Sequence, residues 1–178
     1  MSGLDVLLWV LSRSTGAASL VALCLSLLSG MALRTGVLTW LTHNRGVRVL
    51  HDFTSIIWLP LAIAHVAGLI LDSTAHIGVL DLVVPFQVSY GRLAIGLGTI
   101  SLQLFLVVQI SSWLRRRFTY AQWIALHRLS YVAFALTFAH TLLSGTDFAQ
   151  PLLAGLAWAT ALALGAVGIL RAARASAA

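Results

Sequence analysis

The sequence predicts an all-α fold, a polytopic bundle of membrane-spanning helices. Three observations carry this. Of 178 residues, 60% are hydrophobic and only 9% are charged. Mean hydropathy is +0.96. The apolar residues fall into five long runs, with the arginines gathered at their ends. A soluble domain carries about 25% charged residues. A chain this short cannot bury so much apolar surface in water and still present a polar exterior. A disordered chain, a secreted disulfide scaffold and a cytosolic enzyme are thereby excluded. Cys24 is the single cysteine, so neither an internal disulfide nor a thiolate metal cage is available.

A spanning helix needs about 20 mostly apolar residues. Segment A runs from Gly16 to Leu33, B from Val49 to Leu71, C from Leu93 to Leu114, D from Phe118 to Leu143 and E from Pro151 to Leu170. Before A lies a shorter apolar piece, Leu4 to Leu11, closed by Ser12-Arg13-Ser14. Too short to span, it reads as an interfacial segment within residues 1–15, or as the lead-in to a long tilted A. It lacks the basic start and Ala-x-Ala site of a cleaved signal peptide. No internal repeat stands out, so residues 1–178 read as one domain, with the bundle over 16–172.

There is no lysine and no glutamate; eleven arginines stand against five aspartates. A net charge of +6 is compatible with nucleic-acid binding, but arginines at the ends of apolar runs are topology signals. No nucleic-acid partner is expected; membrane lipid is. Eight arginines fall on one side: Arg34, Arg45, Arg48, Arg115, Arg116, Arg117, Arg171 and Arg174. The other side has Arg13 and Arg92 with Asp5, Asp72, Asp81 and Asp147. The eight-arginine side is expected to be cytoplasmic, with the N-terminus outside and the C-terminus inside, in a bacterial cytoplasmic membrane. Trp40, Trp113, Tyr120 and Trp123 lie near the inner boundary, as an aromatic belt does. The B–C loop, Asp72 to Arg92, is the longest outer segment, and its apolar stretch Ile77 to Phe86 is expected to fold back onto the outer membrane surface.

Four of the six histidines lie inside spanning segments: His51 and His65 on B, His127 and His140 on D. A polar side chain at membrane depth is costly and is a functional candidate. The competing reading of any one is an interhelical hydrogen bond; two on each of two helices is harder to dismiss. His51 and His65 are 14 residues apart, about 21 Å along a helix and nearly on one face. His127 and His140 are 13 apart, about 19.5 Å. Both helices run from inside to outside, so His51 and His127 share one depth and His65 and His140 another. Two facing neutral imidazoles are what a six-coordinate haem iron takes as axial ligands. Zinc wants more ligands, usually including Cys or carboxylate. No Cys-x-x-Cys-His is present, so any haem is non-covalent. Thirteen residues leave His140 off the face of His127, so either helix D is distorted or its two rings approach from different sides.

These residues carry a family resemblance. The stretches are Leu8-Trp9 with Arg13 to Gly16, Leu50-His51, Ala64-His65-Val66, Asp81 to Phe86, Leu126-His127-Arg128-Leu129, and His140 with Gly145-Thr146-Asp147. The chain resembles the ferric-reductase-like transmembrane domain of ferric reductases, NADPH oxidases and MsrQ-type cytochromes, and in particular its small actinobacterial members. The resemblance spans residues 4 to 150. It implies two haem b groups held by two histidines on each of two same-direction helices. The family usually has six spanning helices, one more than the five runs here. Larger relatives add a flavin and nicotinamide domain. No Gly-x-Gly-x-x-Gly unit occurs here, so any flavin or quinol is expected to act through a partner.

Haem propionates need cations. Arg48 and Arg128 lie close in sequence to the inner pair and Arg92 lies on the outer side; topology charge is the competing reading of each. Asp52 either pairs with Arg128 or Arg48, or orients a ligand. His43 and His76 read as surface histidines. Pro60, between the two histidines of B, is expected to kink it and free a carbonyl. Gly68, Gly96 and Gly98 admit close approach by a macrocycle or a neighbouring helix.

The expected function is a transmembrane b-type cytochrome passing single electrons through two bis-histidine haems, with a separate donor (flavoprotein or quinol) and a separate acceptor. No nucleophile dyad, acid pair or phosphate loop suggests a catalytic residue of its own. Two alternatives stand beside it: a quinol-linked cytochrome b subunit of a larger dehydrogenase, and a proton or metal transporter using the histidines as a relay.

Overall fold

The computed structural model describes residues 3–35, 45–144 and 150–175. Within them every regular element is helical: α1 (Gly3–Thr35), α2 (Arg45–Leu71), α3 (Arg92–Trp113), α4 (Tyr120–Ser144) and α5 (Pro151–Ala175), with 3-10 turns at Val79–Leu82 and Arg115–Arg117. Segments A to E are thus each a helix. By length and composition, Gly3–Arg34, Arg45–Leu71 and Arg92–Trp113 suffice to cross a membrane. α4 and α5 have 25 residues each. His43, Trp40 and the Gly145-Thr146-Asp147 stretch lie outside the described residues.

The N-terminal apolar piece is not a separate interfacial helix. It forms the first turns of α1, which has 33 residues and is about 50 Å long, against about 30 Å of hydrocarbon. The reason is visible in its burial. Leu4 and Leu7 are exposed while Leu8 and Ser12 are buried, so the piece already has a face committed to protein. Ser12 Oγ donates back to Leu8 O at 2.8 Å, and Arg13 lies 4.5 Å from the Trp9 ring centre.

The burial pattern suits lipid. Large apolar side chains point outward: Phe53, Ile56 and Ile63 on α2 are each about 60% exposed. The buried polar residues are mostly small: Ser12, Ser19, Ser26, Ser29, Thr54, Thr99, Ser101 and Ser111. Without water, these hydroxyls need partners in the protein. Several bond a carbonyl one turn back, as Ser29 does to Leu25 (2.6 Å) and Thr54 to Leu50 (2.7 Å). Pro60 stands inside α2 without ending it; having no N–H, it leaves the Ile56 carbonyl without its usual helical donor.

The chain divides into two compact units. One comprises Met1–Leu20 and Leu61–Gly145, the other Val21–Pro60 and Thr146–Ala178. In the first, α3 and α4 pack as an antiparallel hairpin closed by the turn Arg115–Arg117. Buried Ala94 and Phe105 of α3 and buried Ala133 and Phe134 of α4 belong to its core. Among the described residues, the second unit's buried ones include Ala22, Leu23 and Met31 of α1 and Trp58 of α2.

The loop before α3, in the first unit, goes further than a surface fold-back. Thr99 Oγ1 donates to Asp81 O at 2.9 Å. Gln103 Nε2 donates to Leu82 O (3.0 Å) and Val83 O (2.9 Å). Arg92 Nε donates to Phe86 O at 2.6 Å. Gln103 lies eleven residues into α3, about 16 Å from its start, so the loop runs along half the helix. Three successive carbonyls, at 81, 82 and 83, would be unsatisfied in hydrocarbon without these donors. Val79, Leu80 and Val83 turn their side chains outward. Phe86 has φ 65°, and its ring occupies the space a Cβ on Gly96 would need.

Candidate functional site

Three of the four membrane histidines are held by one device. His65, on α2, has Nδ1 2.7 Å from Ser12 O on α1. His140, on α4, has Nδ1 2.8 Å from Ala94 O on α3. His51, in the other unit, has Nδ1 2.9 Å from Ser26 O on α1. A backbone carbonyl only accepts. Each Nδ1 therefore carries the hydrogen, and in the neutral ring Nε2 carries the lone pair. Serine hydroxyls stand nearby: Ser29 Oγ 3.4 Å from Nδ1 of His51 and Ser144 Oγ 3.3 Å from Nδ1 of His140.

A glycine lies four residues after each accepting carbonyl. A Cβ on Gly16 would stand 2.7 Å from Nδ1 of His65. One on Gly98 would stand 2.7 Å from Nδ1 of His140, and one on Gly30 2.9 Å from Cε1 of His51. Real Cβ atoms do not approach that closely, so each ring lies in a notch that only glycine leaves open. His65 and His140 share a unit.

His127 is held differently. Its ring stacks on Trp123, one turn earlier on α4, with centroids 5.1 Å apart and planes 26° from parallel. The Arg115 guanidinium lies 4.6 Å from the centre of the same Trp123 ring. On α3, the positions 13 and 14 residues beyond Gly98 are Ser111 and Ser112, and both hydroxyls bond Val108 O, at 2.9 and 2.8 Å. The 13-residue interval thus goes with unlike holds on the two rings, and α4 is unbroken between them.

The remaining candidates sit as follows. Arg48 and Asp52 are exposed near the start of α2, and Arg128 is exposed on α4. Arg92 is exposed and its Nε is committed to the Phe86 carbonyl. His76 is exposed in the loop before α3, with φ 49°. Of the three glycines singled out in sequence, Gly98 meets a histidine, Gly96 meets Phe86, and Gly68 meets the Ser12 side chain. Sequence reasoning did not single out Gly30 and noted Gly16 only within a longer stretch. The available signal was a Ser-x-x-x-Gly unit repeated 14 residues apart on α1, at Ser12/Gly16 and Ser26/Gly30, matching the 14 between His51 and His65.

Residues 15–138 match the family model described as ferric reductase like transmembrane component. The chain belongs to that family. It is an integral membrane protein of an electron-transfer type whose members generally bind haem. The match includes His51, His65 and His127 and stops two residues before His140. No curated protein and no solved structure gives a match.

The residues fit a haem. A ring bonded through Nδ1–H offers Nε2 to a metal in the tautomer and orientation that metal-bound histidines adopt. Among the described residues, no three His, Cys, Asp or Glu side chains come together as a bare-metal site requires.

Proposed function

We propose that this chain is a transmembrane b-type cytochrome in which His65 with His140, and His51 with His127, would supply axial ligands to two non-covalent haems. The observation that carries the reading is the shared hold on His51, His65 and His140: Nδ1 on a helix carbonyl, ring in a glycine notch. Bound haem supplies an iron that accepts and releases one electron. The chain's own residues do the rest. The carbonyls of Ser12, Ser26 and Ala94 fix which imidazole nitrogen faces the cofactor. Trp123 orients His127 by stacking. Buried Phe105, Ala133 and Phe134 keep water from the first unit's interior, and exclusion of water is one of the levers on reduction potential. Arg48, Arg128 and Arg92 are the cations proposed for the propionates. Orientation follows the arginines, with the N-terminus outside and the C-terminus in the cytoplasm of a bacterial cell, and donor and acceptor are separate proteins or small molecules.

A histidine proton relay is less well supported. A relaying ring exchanges protons at both nitrogens, whereas three of these rings have Nδ1 tied to a helix carbonyl. The visible spectrum of the purified protein, oxidised and dithionite-reduced, tests the proposal. A Soret band with sharp reduced α and β bands of a low-spin haem b is expected. A colourless protein after expression with haem supplied would overturn it.

A further inference from the structure

In an α-helix the carbonyl of residue i accepts from the N–H of residue i+4, and the side chain at i+4 stands beside that bond. Ser12/Gly16, Ser26/Gly30 and Ala94/Gly98 all have this spacing, and each presents its carbonyl to an imidazole Nδ1 at 2.7 to 2.9 Å. The arrangement occurs on two different helices and recurs in both units. In each case a methyl group at the glycine would overlap the histidine ring, so the ring reaches its carbonyl because nothing stands at i+4.

We infer that Gly16, Gly30 and Gly98 are positioning residues, each setting the tautomer, plane and basicity of one imidazole through the carbonyl four residues before it. The inference rests on the bis-histidine reading above and adds what controls the ligands. A hydrogen bond from Nδ1–H to a carbonyl raises electron density at Nε2 and makes the ring a more basic ligand. A more basic ligand favours the ferric over the ferrous ion and lowers the reduction potential. Lengthening that bond is therefore expected to raise the potential of one haem and rotate one ligand plane. Outer partners of this kind are worth about 10- to 100-fold in metal affinity, so partial haem loss accompanies the shift.

The test compares Gly16→Ala, Gly98→Ala and Gly30→Ala with Gly165→Ala, whose added Cβ meets nothing within 4 Å. Redox titration and low-spin ferric EPR are read on each haem-loaded protein. Gly16→Ala and Gly98→Ala are expected to raise the midpoint potential of the same haem and move its EPR signal. Gly30→Ala is expected to act on the other haem, and Gly165→Ala on neither. If Gly98→Ala keeps the parent EPR and potential while His140→Ala loses a haem, the positioning role is wrong and the ligand assignment stands. If His140→Ala keeps both haems, the ligand assignment itself fails. Should the glycine variants not accumulate, 15N-histidine NMR of the reduced, diamagnetic parent decides. Protonated Nδ1 and iron-bound Nε2 are expected at His51, His65 and His140; an unprotonated or iron-bound Nδ1 overturns the inference.

Discussion

Replacing either His65 or His140 by alanine is expected to remove one and the same haem, taking the haem-to-chain ratio from two to about one. Both rings belong to one compact unit. Both have Nδ1 on a neighbouring helix carbonyl, at 2.7 and 2.8 Å. Alanine offers no ligand atom, so a haem held by both imidazoles would lose one of its two bonds to the protein. His51→Ala or His127→Ala is expected to remove the other haem and spare the first. Substituting His76, exposed in the loop before α3, is expected to leave the haem content unchanged. Pyridine haemochrome assay with EPR of each variant makes the check. Loss of the same haem from His51→Ala and His65→Ala would show that the histidines are paired wrongly here.

The second large effect is an absence of turnover. The 178-residue chain carries no Gly-x-Gly-x-x-Gly phosphate loop, the device by which dinucleotides are usually gripped. Purified protein with haem bound is therefore expected to oxidise NADPH or NADH no faster than the buffer does, while dithionite reduces it fully. Adding a flavin reductase with its nicotinamide, or a quinol, is expected to restore catalytic reduction. Stopped-flow spectra at the Soret band read this directly. Rapid haem reduction by NADPH alone would show that the chain contains a dinucleotide or flavin site of its own.

The helices and the candidate histidines were legible in the sequence, because apolar runs of about 20 residues and polar rings at membrane depth are strong, local signals. What holds the rings was not. The accepting atoms at Ser12, Ser26 and Ala94 are backbone carbonyls, which every residue has, so no side chain announces them. Gly16 and Gly30 are ordinary residues for a membrane helix, and only their 14-residue repeat echoes His51 and His65. Sequence leaves the join of Leu4–Leu11 to segment A open because eight residues, seven of them apolar, suit an interfacial turn as well as the head of a 33-residue helix; buried Leu8 and Ser12 decide it. The depth of the loop before α3 was hidden for a related reason. Gln103 reads as one polar residue in an apolar run, and its role emerges only with the two carbonyls it bonds. His127 and Trp123 are one helical turn apart, a spacing that in sequence is equally an unremarkable pair of neighbours.

The most direct test of the central claim is the haem content of the purified chain, measured by pyridine haemochrome against amino-acid analysis and followed by acid-acetone extraction. The account predicts a ratio near two, with all of the pigment extracted. A ratio near one, or haem that stays with the polypeptide after extraction, would contradict it.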